Sequence, residues 1–210
     1  MYLGNWEKIF ETFVSEMLAQ ADAAHDIAHI QRVVVNAKRL AQGEGANLTI
    51  VVPAAWLHDC VSVNKNSPDR TRASTMAAER AGEFLREQGF PQAFIPPIEH
   101  AIAAHSYSAN IEPITAEAKV VQDADRLDSI GAIGVARCLL TSVSFDAQLY
   151  DPADPWAENR ELDDKTYSVD HFPVKLFKLA DMMQTAAGKK EAQRRTEFMQ
   201  SWLDQLKTEI

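Results

Sequence analysis

The sequence has few cysteines, no long apolar run and no surplus of positive charge. Its two cysteines, Cys60 and Cys138, are too few for a disulfide framework or a thiolate zinc site, so we expect buried thiols in a reducing compartment. The most apolar segment, 50–57, contains Pro53 and is far too short to cross a bilayer. Segment 1–10 lacks the apolar core of a signal peptide. We therefore expect a cytoplasmic protein with no membrane partner.

Acidic residues outnumber basic ones across the chain. The 210 residues include 30 Asp and Glu against 21 Lys and Arg, a formal net charge of −9. Proteins held on nucleic acid by phosphate contacts need a basic face, so no nucleic-acid partner is expected, although a local basic pocket for one small anion stays open. The apolar fraction of 46% is ordinary for a folded protein. Length and composition favour one domain over 1–210.

Apolar residues recur at helical spacing along nearly the whole chain. Strand alternation is almost absent, which predicts an all-α fold, a helical bundle. The predicted helices cover 6–21, 27–41, 51–60, 72–88, 96–104, 117–130, 135–140 and 188–207. Gly131 and Gly134 are expected to allow a close turn or a helix crossing.

The helical pattern breaks over 145–173, where prolines and aspartates cluster. We interpret this segment as a lid-like excursion within the domain. The long C-terminal helix that follows has an apolar stripe, Phe198, Met199, Trp202, Leu203 and Leu206. That stripe fits packing in the core, and it also permits a homodimer.

His58 and Asp59 end an otherwise apolar run, 51–57. Bare burial of such groups is costly, so they must be solvated, paired or bound to a cation. Adjacent helical residues lie ~100° apart around the axis, so another helix must supply any further ligands. His29 and Asp125 lie on two other predicted helices. These two imidazoles and two carboxylates predict a divalent-metal site with positions open for water and substrate, although a His-Asp dipeptide alone is a weak signal.

These segments resemble the HD-domain phosphohydrolases, an all-α family with the pattern His…His-Asp…Asp. The resemblance extends over 65–70, 104–108, 122–134 and 170–178, which are similar to the YedJ-like bacterial branch. It implies a metal-dependent phosphohydrolase acting on a small phosphate ester or anhydride such as a nucleotide, as a phosphatase or pyrophosphohydrolase. The implied ligands of one divalent ion are His29, His58, Asp59 and Asp125.

The identity of the ion stays open among Mn²⁺, Mg²⁺, Fe²⁺, Co²⁺, Ni²⁺ and Zn²⁺. Such an ion activates water and polarises a phosphoryl oxygen. Asp128, one helical turn beyond Asp125, is our prediction for the residue that orients the attacking water, unless it pairs with Arg126 or caps the turn into Gly131. Asp123 is a weaker candidate for the same role, because it faces the other side of the helix.

His105 is predicted to contact phosphate or to protonate the leaving group. Its spacing from His100 turns the two rings ~140° apart on a helix, which argues against a shared ion.

Basic residues within the matching segments are the predicted phosphate contacts, although each also fits a solvated surface cation. These predicted substrate-binding residues are Lys65, Arg70, Arg72 and Lys175. Aromatic rings in the excursion fit either stacking on a base or packing of the segment; they are Tyr150, Trp156 and Tyr167. Two alternatives stay open: a two-metal phosphodiesterase of the cyclic-nucleotide type, and a non-catalytic nucleotide-binding HD module.

Overall fold

A computed structural model describes residues 3–18, 27–61, 63, 71–106 and 108–210. Within these ranges, strand pairing is limited to one bridge between Gln148 and Tyr167, so the predicted all-α class is confirmed. None of the helices there is both long enough and apolar enough to span a bilayer. The α-helices are α1 (Leu3–Leu18), α2 (Ile27–Glu44), α3 (Leu48–Leu57), α4 (Ala73–Glu87), α5 (Ile95–Ala103), α6 (Ala116–Leu127), α7 (Gly131–Val143) and α8 (Ala186–Lys207).

The chain forms two compact units, Met1–Asp125 and Arg126–Ile210. The first contains α1 to α5 and all but the last two residues of α6. The second contains α7, α8 and the irregular segment between them. Each of the eight predicted helices corresponds to an observed one, with ends that differ by a few residues. One domain over 1–210 stays a prediction.

Helix α3 is buried over most of its length in the first unit. Every residue from Ile50 to Leu57 is buried, and the helix packs against α1, α2 and α5. The Asn47 side chain accepts a hydrogen bond of 2.9 Å from the Thr49 amide, and this cap starts the helix three residues before the predicted start. Pro53 therefore lies inside the helix rather than in its first turn. His58 and Asp59 follow in the turn at the buried end.

A close backbone approach begins α7 in the second unit. Gly131 has a φ of +77°, a conformation that favours glycine. A Cβ atom added to Gly134 would lie 2.4 Å from the carbonyl oxygen of Ser129. The predicted close turn is therefore confirmed.

The substitution Gly134→Ala is expected to destabilise the second unit. Alanine normally stabilises a helix interior by about 0.8–1 kcal/mol over glycine, but here the new methyl group meets backbone. Forced backbone shifts of this kind cost about 1–3 kcal/mol, so the midpoint of thermal unfolding should fall. The control is Ala136→Gly on the exposed face of α7, which reports helix propensity alone. A Gly134→Ala protein that unfolds at a higher temperature than wild type would contradict this close approach.

A buried ion pair organises the predicted excursion, 145–173. The Asp170 carboxylate is 1% exposed and accepts hydrogen bonds from both Nη atoms of Arg160, at 2.5 and 3.0 Å. It also accepts one from the amide of Asp163, at 2.7 Å. The Arg160 guanidinium lies 4.5 Å from the centre of the Tyr167 ring. The segment is thus irregular, as predicted, and closely bonded within the second unit; its role as a lid stays a prediction.

The C-terminal helix packs part of its apolar stripe inside the second unit. Met199 and Leu203 are buried, and Trp202 stacks on Phe172 with ring centres 5.5 Å apart. Phe198 remains 46% exposed. The stripe therefore contributes to the core, and the homodimer stays a prediction.

Candidate metal centre

Two imidazoles and two carboxylates converge in the first unit. His29 comes from α2, His58 and Asp59 from the turn after α3, and Asp125 from α6. The Nε2 atom of His29 lies 3.7 Å from Asp59 Oδ2 and 3.5 Å from Asp125 Oδ1. The Nε2 atom of His58 lies 3.5 and 3.8 Å from the same two oxygens. Each of the two imidazoles therefore lies beside both carboxylates, and donor atoms of His29, His58 and Asp125 lie within 4.8 Å of one another.

The chemistry of the donor set fits a divalent cation. His58 Nε2 is buried and has no hydrogen-bond partner, while His58 Nδ1 lies 2.9 Å from the carbonyl oxygen of Ala55. If Nδ1 carries the proton, that carbonyl accepts it and Nε2 presents a lone pair to Asp59 and Asp125. A lone pair facing carboxylates is unfavourable unless a proton or a cation lies between them. The carboxylate side chains are 26% and 28% exposed, which leaves an approach from solvent.

Electrostatics hold the two central residues in the forms that a metal requires. Burial lowers the pKa of His58 more than the neighbouring Asp59 and Asp125 raise it. Burial alone would raise the pKa of Asp59, but His58, His105 and His29 outweigh burial and hold it well below its usual value. A neutral imidazole and an ionised carboxylate are the metal-binding forms of these residues.

His105 extends the cluster on the other oxygen of Asp59. Its Nε2 atom lies 3.4 Å from Asp59 Oδ1, and its ring centre lies 4.8 Å from that of His58. Burial lowers the pKa of His105, but the hydrogen bond and charge of Asp59 outweigh it and raise the pKa to about 8. His105 thus donates a hydrogen bond to the carboxylate of Asp59. Donor atoms of His58, Asp59 and His105 also lie within 4.8 Å of one another, so a second ion is an alternative.

The sequence interpretation missed the closeness of His105 to Asp59. His58 and His105 each follow the end of an apolar helix, and each places Nδ1 near the carbonyl three residues earlier, Ala55 or Ile102. That shared local arrangement is a signal the spacing argument did not use. His100 instead accepts a hydrogen bond from the Ile114 amide and is outside both groups of ligand atoms identified among the described residues.

The other predicted site residues have varied surroundings. Lys65 and Arg70 lie outside the described residues. Arg72 is exposed immediately before α4. Lys175 is exposed in the second unit, where it lines a pocket.

Asp128, the predicted water-orienting residue, is buried in the second unit. Its carboxylate is 1% exposed and pairs with Arg137. Arg126, the alternative partner in the sequence interpretation, donates a hydrogen bond of 2.5 Å to the Met182 carbonyl. The catalytic role of Asp128 stays a prediction.

Comparison with known proteins gives the class. A family profile described as HD domain matches residues 26–130. The chain is 32% identical to protein YpgQ of Bacillus subtilis over 203 residues, 95% of this chain and 91% of YpgQ. The crystal structure of YpgQ in complex with ADP has a TM-score of 0.78 and 32% identity, covering 100% of this chain and 97% of that one. An HD-superfamily hydrolase from Bacillus thuringiensis has a TM-score of 0.76 and 32% identity, covering 98% and 96%.

The chain therefore belongs to the HD domain family. The predicted family is confirmed, and the four residues of its His…His-Asp…Asp pattern all lie within the matched range. The similar structures include HD-superfamily hydrolases, which supports a hydrolase-type enzyme. The YedJ-like branch stays a prediction.

Proposed function

We propose that this protein is a metal-dependent phosphohydrolase that cleaves a small phosphate ester or anhydride, namely a nucleotide. The convergence of His29, His58, Asp59 and Asp125, with the buried His58 Nε2 lacking a partner, carries this proposal. The nucleotide is supported by the relative YpgQ, whose structure contains ADP. One divalent cation is proposed among the four ligands, with Mn²⁺ the first to be tested beside Mg²⁺, Fe²⁺, Co²⁺, Ni²⁺ and Zn²⁺.

A divalent cation at such a site supplies Lewis acidity and lowers the pKa of water. The chain's own residues orient the ligands and the attacking water and protonate the leaving oxygen. The Ala55 carbonyl fixes the ring of His58. His105, whose Nε2 atom lies 3.4 Å from Asp59 beside the proposed ligands, is proposed to donate a proton to the leaving oxygen. Asp128 is proposed to orient the attacking water.

Turnover of nucleotides is expected to depend on added metal. The purified chain should release phosphate or pyrophosphate from at least one member of a panel of nucleoside mono-, di- and triphosphates when Mn²⁺ or another of the listed ions is present. A chelator should stop the release, and excess ion should restore it. Chromatography of the products identifies which bond is cleaved. Release that continues unchanged in chelator would contradict metal-dependent hydrolysis.

The second group of ligand atoms favours one alternative, a two-metal phosphodiesterase. Two results together would establish it. Wild type should bind two ions per chain and His105→Ala only one, and wild type should hydrolyse cyclic nucleotides. A non-catalytic nucleotide-binding module would bind metal and nucleotide and release no product from any member of the panel.

A further inference from the structure

A pocket in the second unit collects basic side chains. Its volume of about 620 Å³ falls within the range of about 300–1,000 Å³ that is typical of small-molecule sites. Part of its wall comes from α7, and part from the excursion and the turn before α8. Its polar side chains are four basic groups, three hydroxyls and one carboxylate; they are Arg137, Lys165, His171, Lys175, Ser129, Thr141, Ser142 and Asp164.

Two of the basic groups have carboxylate partners, and these partners fix their positions. Arg137 pairs with the buried carboxylate of Asp128, while 27% of the Arg137 side chain remains exposed. His171 Nδ1 lies 2.8 Å from Asp164 Oδ2. Buried or hydrogen-bonded partners of this kind position a side chain before any ligand binds. Arg137 therefore forms a fixed positive wall of the pocket.

The two lysines add positive charge to a pocket whose described lining contains one carboxylate, that of Asp164. Neither Lys165 nor Lys175 forms an ion pair with another described residue, although the whole chain has a net charge of −9. Cations that line one cavity repel each other, and an anion between them removes that repulsion. Ammonium and guanidinium groups are also the side chains that best contact phosphate oxygens.

An aromatic ring accompanies the basic groups. Phe145 also lines the pocket and is 61% exposed, so its ring is accessible from solvent. A ring next to cations is the combination that recognises a phosphate joined to a heterocyclic base, because the base stacks on the ring. Cys138 and Leu176 add apolar surface to the same pocket.

We propose that this pocket binds the phosphate groups of a nucleotide. Lys165, Lys175 and Arg137 contact the phosphate oxygens, and the base packs on Phe145. The choice of a nucleotide rests on the proposed function, whereas the preference for an anion rests on the pocket's own charges. Binding here requires no metal, because the protein supplies the positive charge.

The test is calorimetric titration with ADP, pyrophosphate and adenosine in the presence of a chelator. Wild type should bind ADP and pyrophosphate and should bind adenosine far more weakly. Lys165→Met and Lys175→Met each keep the length of the side chain and remove its charge. Each should therefore raise the dissociation constants of ADP and of pyrophosphate by about tenfold. Phe145→Ala should weaken the binding of ADP and leave the binding of pyrophosphate unchanged. The matched control is Lys178→Met, an exposed lysine outside the pocket, which should bind as wild type does.

The outcomes separate this inference from the proposed function. Binding of ADP and pyrophosphate that is unchanged in the double variant Lys165→Met/Lys175→Met, or absent from wild type in chelator, overturns the inference. If the double variant binds ADP and pyrophosphate more weakly than wild type does, and wild type hydrolyses no nucleotide, the inference is upheld and the proposed function is removed. If the protein does turn over, a KM that rises with the dissociation constant identifies the pocket's ligand as substrate. An unchanged KM identifies it as a second, regulatory nucleotide.

Discussion

Replacement of His58 or Asp59 by alanine is expected to abolish metal binding and turnover while the helices remain folded. Each variant removes one donor from the point where His29, His58, Asp59 and Asp125 meet. Loss of a residue that merely supports a ligand costs ~10–100-fold in metal affinity, so loss of a direct ligand should cost at least about 100-fold. Metal content, measured after dialysis, and the initial rate of hydrolysis are the readouts. Circular dichroism checks the fold.

Thermal unfolding gives a readout of the same site that does not depend on activity. An ion held at about 100 times its dissociation constant stabilises the folded state by about 2.7 kcal/mol. Added metal should therefore raise the unfolding temperature of wild type and not of His58→Ala. His100→Gln, which replaces a histidine outside the cluster, and Asp204→Ala, on the exposed face of α8, are the matched controls. Turnover that is unchanged in His58→Ala or Asp59→Ala would remove the metal-centre hypothesis.

Replacement of Asp170 by alanine is expected to destabilise the second unit by about 1–3 kcal/mol, the cost of leaving hydrogen-bond donors without their acceptor. The variant leaves Arg160 without its bidentate partner and the Asp163 amide without an acceptor. Equilibrium unfolding in urea measures the loss. The control is Asp204→Ala. Removal of this exposed carboxylate should change the free energy of unfolding by less than about 0.5 kcal/mol.

A second variant, Asp170→Asn, separates the hydrogen bonds of this carboxylate from its charge. Asp170→Asn keeps an oxygen that can accept from the Asp163 amide, so its loss should be smaller than that of Asp170→Ala. A loss below about 1 kcal/mol for Asp170→Ala is the value expected for an exposed pair, and it would contradict burial of this carboxylate.

The helices could be predicted because apolar spacing directly encodes which face of a helix is buried. The His…His-Asp…Asp pattern likewise placed His29, His58, Asp59 and Asp125 together, since each lies in or beside a strongly periodic segment. The start of α3 was predicted too late because the apolar pattern does not report a polar cap such as Asn47. The spacing of apolar residues therefore predicted the positions of the helices and of the candidate ligands, and it was less accurate for the residues at which the helices begin and end.

Contacts that depend on tertiary packing were beyond the sequence interpretation. The approach of His105 to Asp59 requires α5 to pack against α3, and no local period encodes that arrangement. The bond between Arg160 and Asp170 lies in an irregular segment, where side-chain direction follows no repeat. The basic groups of the pocket likewise lie up to 38 positions apart in the sequence, at Arg137 and Lys175.

The most direct test of the central claim is anomalous X-ray scattering from crystals soaked in Mn²⁺ or Zn²⁺. The account predicts one anomalous peak in the first unit, about 2.0–2.2 Å from Nε2 of His29 and His58 and from carboxylate oxygens of Asp59 and Asp125, as zinc-to-ligand distances require. A peak elsewhere, or ordered metal-free side chains in an enzyme that still hydrolyses nucleotide, would contradict it.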